Sequence, residues 1–193
     1  MIKKIFNLKG FTLIELIIVF TVLAILSVGG IAAFVSYSQL QSLSNDRENI
    51  IAIVNLAKAN TTSQFKPTST AKCQGTLEGY SVVFTTSGSD ANTYQLYVRC
   101  SGNNPGSSPP REIEMRDAPY KLSKGISFIT SGATPMNVSS VFFPLLTGGI
   151  VVKNNIGTGS IVNCNDSSPC RIVIDGFGKG PKTITIDSSG SIK

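Results

Sequence analysis

One carboxylate stands inside an otherwise apolar run. In "KGFTLIELIIVFTVLAILSVGGIAAFVSY", Lys9 to Tyr37, the single acid is Glu15. An acid in a segment greasy enough for lipid is costly and marks a function by default, with a partner to be named. Other reactive combinations are poor. The chain has no His, so neither a Ser–His–Asp nor a Cys–His site can exist. Glu112 and Glu114 lie two apart in "REIEMR", on one side of a strand among other charges, and read as a solvated edge. Asp175 to Gly180, "DGFGKG", follows a strand, but its third glycine comes one residue early and Pro181 leads into another strand. A dinucleotide loop must open a helix, so this is a hairpin turn. Asn60, Asn137 and Asn165 head glycosylation-type triplets, as a Ser/Thr/Asn-rich chain produces by chance. An enzyme is not expected, and no cofactor is implied.

Charge narrows the partners. Lys3, Lys4 and Lys9 are three of the 17 basic residues, and beyond Gly10 the count is 14 basic to 11 acidic, so a net +6 falls to +3. That is too mild to require nucleic acid without clustering.

The elements around Glu15 follow from periodicity. From Phe11 to Val35 the run covers 25 residues, where a spanning helix needs about 20. A cleaved secretory signal would have a shorter core and an A-x-A-type site directly after it. Three lysines ahead of the run favour a cytoplasmic N-terminus. Next, Leu40, Leu43, Ile50, Ile51, Val54 and Ala57 recur at helical spacing, with Asn45, Asp46, Arg47 and Glu48 between them, an amphipathic helix. Pro67 sets its end near Phe65 or Lys66, while Gly29-Gly30 weakens its middle. From Ala71 onward short Val-, Ile-, Thr- and aromatic-rich runs alternate with turn residues: 80–87, 93–100, 111–116, 125–130, 139–145, 148–153, 160–164, 170–175 and 182–187. This predicts an antiparallel, meandering β system without βαβ units. Residues 102–110, "GNNPGSSPP", read as an exposed loop.

Four cysteines, Cys73, Cys100, Cys164 and Cys170, all follow the anchor. An even set in an exported domain suggests disulfides. Of three possible pairings, order and proximity favour Cys73–Cys100 and Cys164–Cys170. A zinc site lacks C-x-x-C spacing and histidines, so no metal is expected.

"KGFTLIELIIVFTVLAIL" resembles the processing site and first helix of type IV prepilins and type II secretion pseudopilins. The resemblance covers about the first 35 residues, and its motif is specific. It implies a type IV pilin fold of the α+β class, with a long N-terminal helix packed on a C-terminal antiparallel β-sheet domain. Its expected divisions are a cleaved leader (1–10), a transmembrane assembly helix (11–35), an amphipathic continuation (36–66) and a β-rich globular domain (67–193). It further implies that a prepilin peptidase cuts between Gly10 and Phe11 and methylates the new amine of Phe11. Glu15 then falls at the fifth mature position, where the family keeps its acid, and can meet the amine of Phe11 on a neighbouring subunit. Such a pair rewards one axial register, because either charge buried alone is expensive. The competing reading has Glu15 reaching back to the headgroups. The family often breaks this helix with a proline, at a position where this chain has Ala32.

The C-terminal half is similar to the β-domain of GspH/FimT-type minor pseudopilins in "SFITSGATP", the Phe-Pro of "VFFPLLTGG" and the closing "RIVIDGFGKGPKTITIDSSGSIK", with the glycine after Phe143-Pro144 displaced to Gly148. A divergent major pilin is the other branch. The implied partners are further pilin or pseudopilin subunits, the prepilin peptidase and an inner-membrane assembly platform. The implied location is the inner membrane, single-pass, and later a periplasmic or extracellular filament. The alternative role is a tip subunit binding DNA, secreted cargo or a surface. For DNA, the resemblance points to Arg171, Lys179, Lys182 and Lys193, diluted by Asp166, Asp175 and Asp187.

Overall fold

The computed structural model describes residues 12–67, 75–101, 111–115, 118–145, 149–154, 160–165 and 169–193, and only the backbone at 28–29 and 111–114. Two compact units divide the chain, one up to Leu40 and one from Gln41 to Lys193. A single helix, α1 (Leu13–Thr62), contributes to both. Gly29 and Gly30 are helical, so the expected weak point is crossed without a break.

In the second unit α1 buries one stripe. Leu43, Ile50, Val54 and Ala57 are fully buried, and Asp46 and Thr61 lie in the same stripe at spacings of three and four. Leu40 instead stays exposed, and Ile51 is only partly buried. Asp46, grouped by sequence with the polar residues, belongs to the buried face. Its Oδ2 accepts the Ser123 N–H at 2.7 Å and its Oδ1 accepts the Ser123 hydroxyl at 3.0 Å, which is what lets a carboxylate sit there. Two further side chains tie the helix down. The Thr61 hydroxyl donates to the Ala57 and Phe143 carbonyls at 2.9 and 3.3 Å, and Lys58 Nζ donates to the Gly190 carbonyl at 3.0 Å.

The helix ends at Thr62, three or four residues before the proline-based expectation of Phe65 or Lys66. Gln64 takes a left-handed φ of 52°. The Phe65 N–H then reaches the Asn60 carbonyl at 3.0 Å, and the Gln64 N–H reaches that of Thr61 at 3.1 Å. These two bonds form a Schellman cap, with glutamine in the place usually held by glycine. The freed Phe65 carbonyl accepts the Tyr80 hydroxyl at 2.5 Å. Burial pushes that phenol up to about 12.

Among the described residues ten strands follow: β1 (Leu77–Thr85), β2 (Thr93–Cys100), β3 (Arg111–Glu114), β4 (Tyr120–Lys121), β5 (Ile126–Phe128), β6 (Ser140–Pro144), β7 (Val151–Lys153), β8 (Ile161–Val162), β9 (Cys170–Gly176) and β10 (Lys182–Ile186). All nine expected runs contain one. The tenth, β4, is two residues long and held by Tyr120 stacking on Tyr94, with centroids 5.4 Å apart. The pairing is antiparallel but not a plain meander. One sheet runs β3-β2-β1-β6-β7-β8 with β4 also on β2, and the other runs β10-β9-β5. The longest departure is the β1–β6 pairing, Gly79↔Pro144 to Val83↔Ser140, with β5–β9 and β2–β4 also joining strands that are not consecutive. At the bulge beside Gly79, any Cβ would collide with the Phe143 carbonyl oxygen, so only glycine admits β6 there. The strands and α1 share one core that includes Tyr80, Val82, Val98, Val141, Ile172 and Ile184.

Candidate assembly site

The first turn of α1 is built by Thr12 and Glu15. The Glu15 N–H donates to Thr12 Oγ1 at 3.3 Å, and the Leu16 N–H donates to the Thr12 carbonyl at 3.2 Å. Thr12 is therefore the N-cap and Glu15 stands at N3, the Thr-x-x-Glu spacing of a capping box. Sequence reasoning treated "TLIE" as a processing motif and missed this, although the spacing alone is the signal. An acid in the first turn also faces the positive end of the helix dipole, worth about 0.3–1 kcal/mol. Glu15 is thus placed where the helix end already favours a negative charge, and it is exposed.

Below it the surface is apolar on all sides. Leu13, Ile14, Leu16, Ile17, Ile18, Val19, Phe20, Val22, Leu23, Ile25 and Leu26 are each about half or more exposed. An apolar surface of this extent demands lipid or neighbouring protein. The helix is long and apolar enough to cross a membrane. Its hydroxyls carry their own partners: Thr21 Oγ1 donates to the Ile18 carbonyl at 2.8 Å and Ser27 Oγ to that of Leu23 at 2.7 Å. Neither brings an unsatisfied donor into hydrocarbon.

The remaining expected site residues divide. Gly10, Phe11 and Cys73 lie outside the described residues. Cys164 and Cys170 form a disulfide with Cα atoms 5.1 Å apart, as expected. Cys100 is disulfide-bonded and buried at the end of β2. Arg171 and Lys193 both border Thr185, Arg171 as its partner across β9–β10 and Lys193 through a pair of backbone bonds of 2.9 and 3.0 Å. Lys182 opposes Ile174 at the far end of that hairpin, about 10 Å along the strand, with Lys179 in the turn before it. The fold therefore separates the four basic residues into two pairs. No group of three or more potential metal ligands occurs among the described residues.

With this geometry in place, comparison adds one finding. Residues 6–31 match the model of the prokaryotic N-terminal methylation motif. The chain carries a type IV prepilin-like signal. The match covers the cap, Glu15 and most of the exposed apolar helix. No curated protein and no solved structure matches the chain. The α+β architecture, one long N-terminal helix packed on antiparallel sheets, is that of the type IV pilin fold.

Proposed function

We propose that this protein is a filament subunit of the pilin or pseudopilin kind, drawn from the inner membrane into a type IV pilus or a type II secretion-like filament. The observation that carries this reading is the methylation motif at residues 6–31 heading an apolar helix with its acid at N3. Cleavage after Gly10 frees the amine of Phe11, which a prepilin peptidase then methylates. Lys3, Lys4 and Lys9 hold the leader on the cytoplasmic side, so the β-domain faces outward, where Cys73–Cys100 can join Cys164–Cys170 as a second disulfide. On assembly Glu15 pairs with the Phe11 amine of a neighbour and sets the axial register. The β-domain then decorates the filament, and the GspH/FimT-type similarity of its C-terminal half suits a minor subunit. A DNA-binding tip role draws less support, because the sheet splits the four candidate cations.

The capping box makes the test discriminating. Glu15→Gln keeps a residue type suited to N3 but removes the charge, whereas Glu15→Ala removes both. Expressed beside the natural subunit, both variants should be lost from sheared filaments while still accumulating in the membrane. Incorporation of Glu15→Gln at the natural level would overturn the register role and leave Glu15 as a capping residue.

A further inference from the structure

The aspartates differ in what their carboxylates hold. Asp46 accepts from Ser123, and Asp187 Oδ1 accepts from Ser189 and Ser191, two and four residues further on. Asp175 Oδ1 instead accepts the N–H of the very next residue, Gly176, at 2.7 Å. That nitrogen is the main-chain atom able to attack the Asp175 carboxyl group. Its target, Cγ, is one covalent bond beyond Oδ1, so the pair stands near the separation of about 3–3.5 Å from which such attacks begin.

The fold holds this pair at an open corner. The last rung between β9 and β10 is Lys182↔Ile174, and Asp175 and Gly176 continue past it. Among the described residues only β5 pairs with them, through Ser127↔Asp175 and Ile126↔Gly176. Both are half-buried, which leaves access for water. A tight turn follows, closed by the Lys179 N–H on the Gly176 carbonyl at 3.2 Å, with Phe177 and Gly178 at φ of 60° and 66°. Two consecutive left-handed residues suit a hairpin turn, but a phenylalanine takes that conformation only under strain. Strain and one-sided pairing both favour local opening at this end of β9. Nor can a bulkier residue stand at 176 to shield the nitrogen. A Cβ there would come within 2.6 Å of the Gly125 carbonyl oxygen.

We propose that Asp175–Gly176 is a self-modification site, where the main chain rearranges through a succinimide to an isoaspartyl linkage. The Gly176 nitrogen bonds to Asp175 Cγ and releases its proton, and one carboxyl oxygen leaves as water. Water then adds to the ring carbonyl that had been the main-chain carbonyl of Asp175. The bond from that carbon to nitrogen breaks, nitrogen regains a proton, and the carbon becomes a free carboxylate. Opening at Cγ instead restores the aspartate. No atom is gained or lost overall, and no oxidant or reductant takes part. The rearranged chain runs through Cβ and gains a methylene, so the Ile126–Gly176 rung and the turn beyond it lose their register. Long-lived protein therefore carries a loosened β9–β10 end.

Full-length chain in detergent, aged at neutral pH and sampled over time, tests this. Electron-transfer mass spectrometry of the Ile172–Lys179 peptide distinguishes the aspartyl from the isoaspartyl linkage, with the peptides holding Asp90 and Asp187 as references. Residue 175 should convert faster than either reference in the folded chain. Urea-unfolded chain keeps the Asp-Gly sequence but loses the contact, so the excess over the references should be about tenfold smaller there. An excess in urea as large as in the folded chain would overturn the proposal and leave only the ordinary openness of glycine. Absence of isoaspartate at 175 in aged folded chain would overturn it equally. Asp175→Glu places the carboxyl group one methylene further along and should stop the conversion. Amides of 125–127 and 176–180 should then exchange faster on ageing in the natural chain but not in this variant.

Discussion

Removing the Asp46 carboxylate should loosen α1 from the β-domain by a calculable amount. The group is 6% exposed and accepts two hydrogen bonds from Ser123, at 2.7 and 3.0 Å. Bonds to a charged acceptor contribute about 1.5–3 kcal/mol each. Part of that is offset because a buried carboxylate no longer has to be desolvated. Asp46→Ala should therefore cost about 3 kcal/mol, and at about 2–4 °C per kcal/mol for a chain of this size the melting temperature should fall by roughly 6–12 °C. Asp46→Asn keeps one acceptor oxygen and should lose about half as much. Ser123→Ala removes only the 3.0 Å bond, so it should be mildly destabilising alone and nearly neutral when added to Asp46→Ala. Thermal unfolding followed by circular dichroism on the detergent-solubilised chain measures the four variants against the natural protein. An Asp46→Ala melting temperature within about 1 °C of the natural protein would refute the account, as would a Ser123→Ala effect that is the same in both backgrounds.

Other outcomes follow from single observations. Gln64→Gly should raise stability by up to about 1 kcal/mol, because the left-handed cap then carries no side-chain penalty, and a loss in chemical denaturation would contradict the cap. Cys164→Ser/Cys170→Ser opens a loop six residues apart in sequence and should cost about 2 kcal/mol by loop entropy, read as an earlier urea midpoint. Tyr80 and Tyr94 are both pushed up to about 12, chiefly by burial, with Asp46 adding to the shift of Tyr94. Their folded values exceed the ordinary 10, so the neutral phenols' stability is intact below pH 10 and lost as pH rises toward 12. Melting temperature against pH should fall across that window, and less steeply in Tyr80→Phe/Tyr94→Phe.

How far the sequence reveals this protein differs by element. Strands rich in β-branched and aromatic residues, such as Thr93–Cys100, carry their own signature, because pattern and local preference agree there. The neighbours of those strands do not. Nothing local to Tyr80 or Phe143 says that β1 pairs with β6, since that contact depends on a backbone approach only Gly79 allows. Asp46 misled because its type argues for solvent while its spacing argues for the core. Ser123, 77 residues away, settles the conflict, and no local window includes it. The helix end was misplaced because Pro67 is a visible stop, whereas a left-handed glutamine is not. At the site, the apolar run is legible in the sequence. The Thr12–Glu15 cap was also legible but masked by a more specific reading of the same four residues.

The account depends on one event above all, the release of a new N-terminus opposite the acid in the first turn of α1. Intact-mass and terminal-peptide spectrometry of the protein taken from sheared filaments measures it directly. The expected result is a chain beginning at Phe11 with one methyl group on its amine. Assembled material that still begins at Met1, with Gly10–Phe11 uncut, would contradict it.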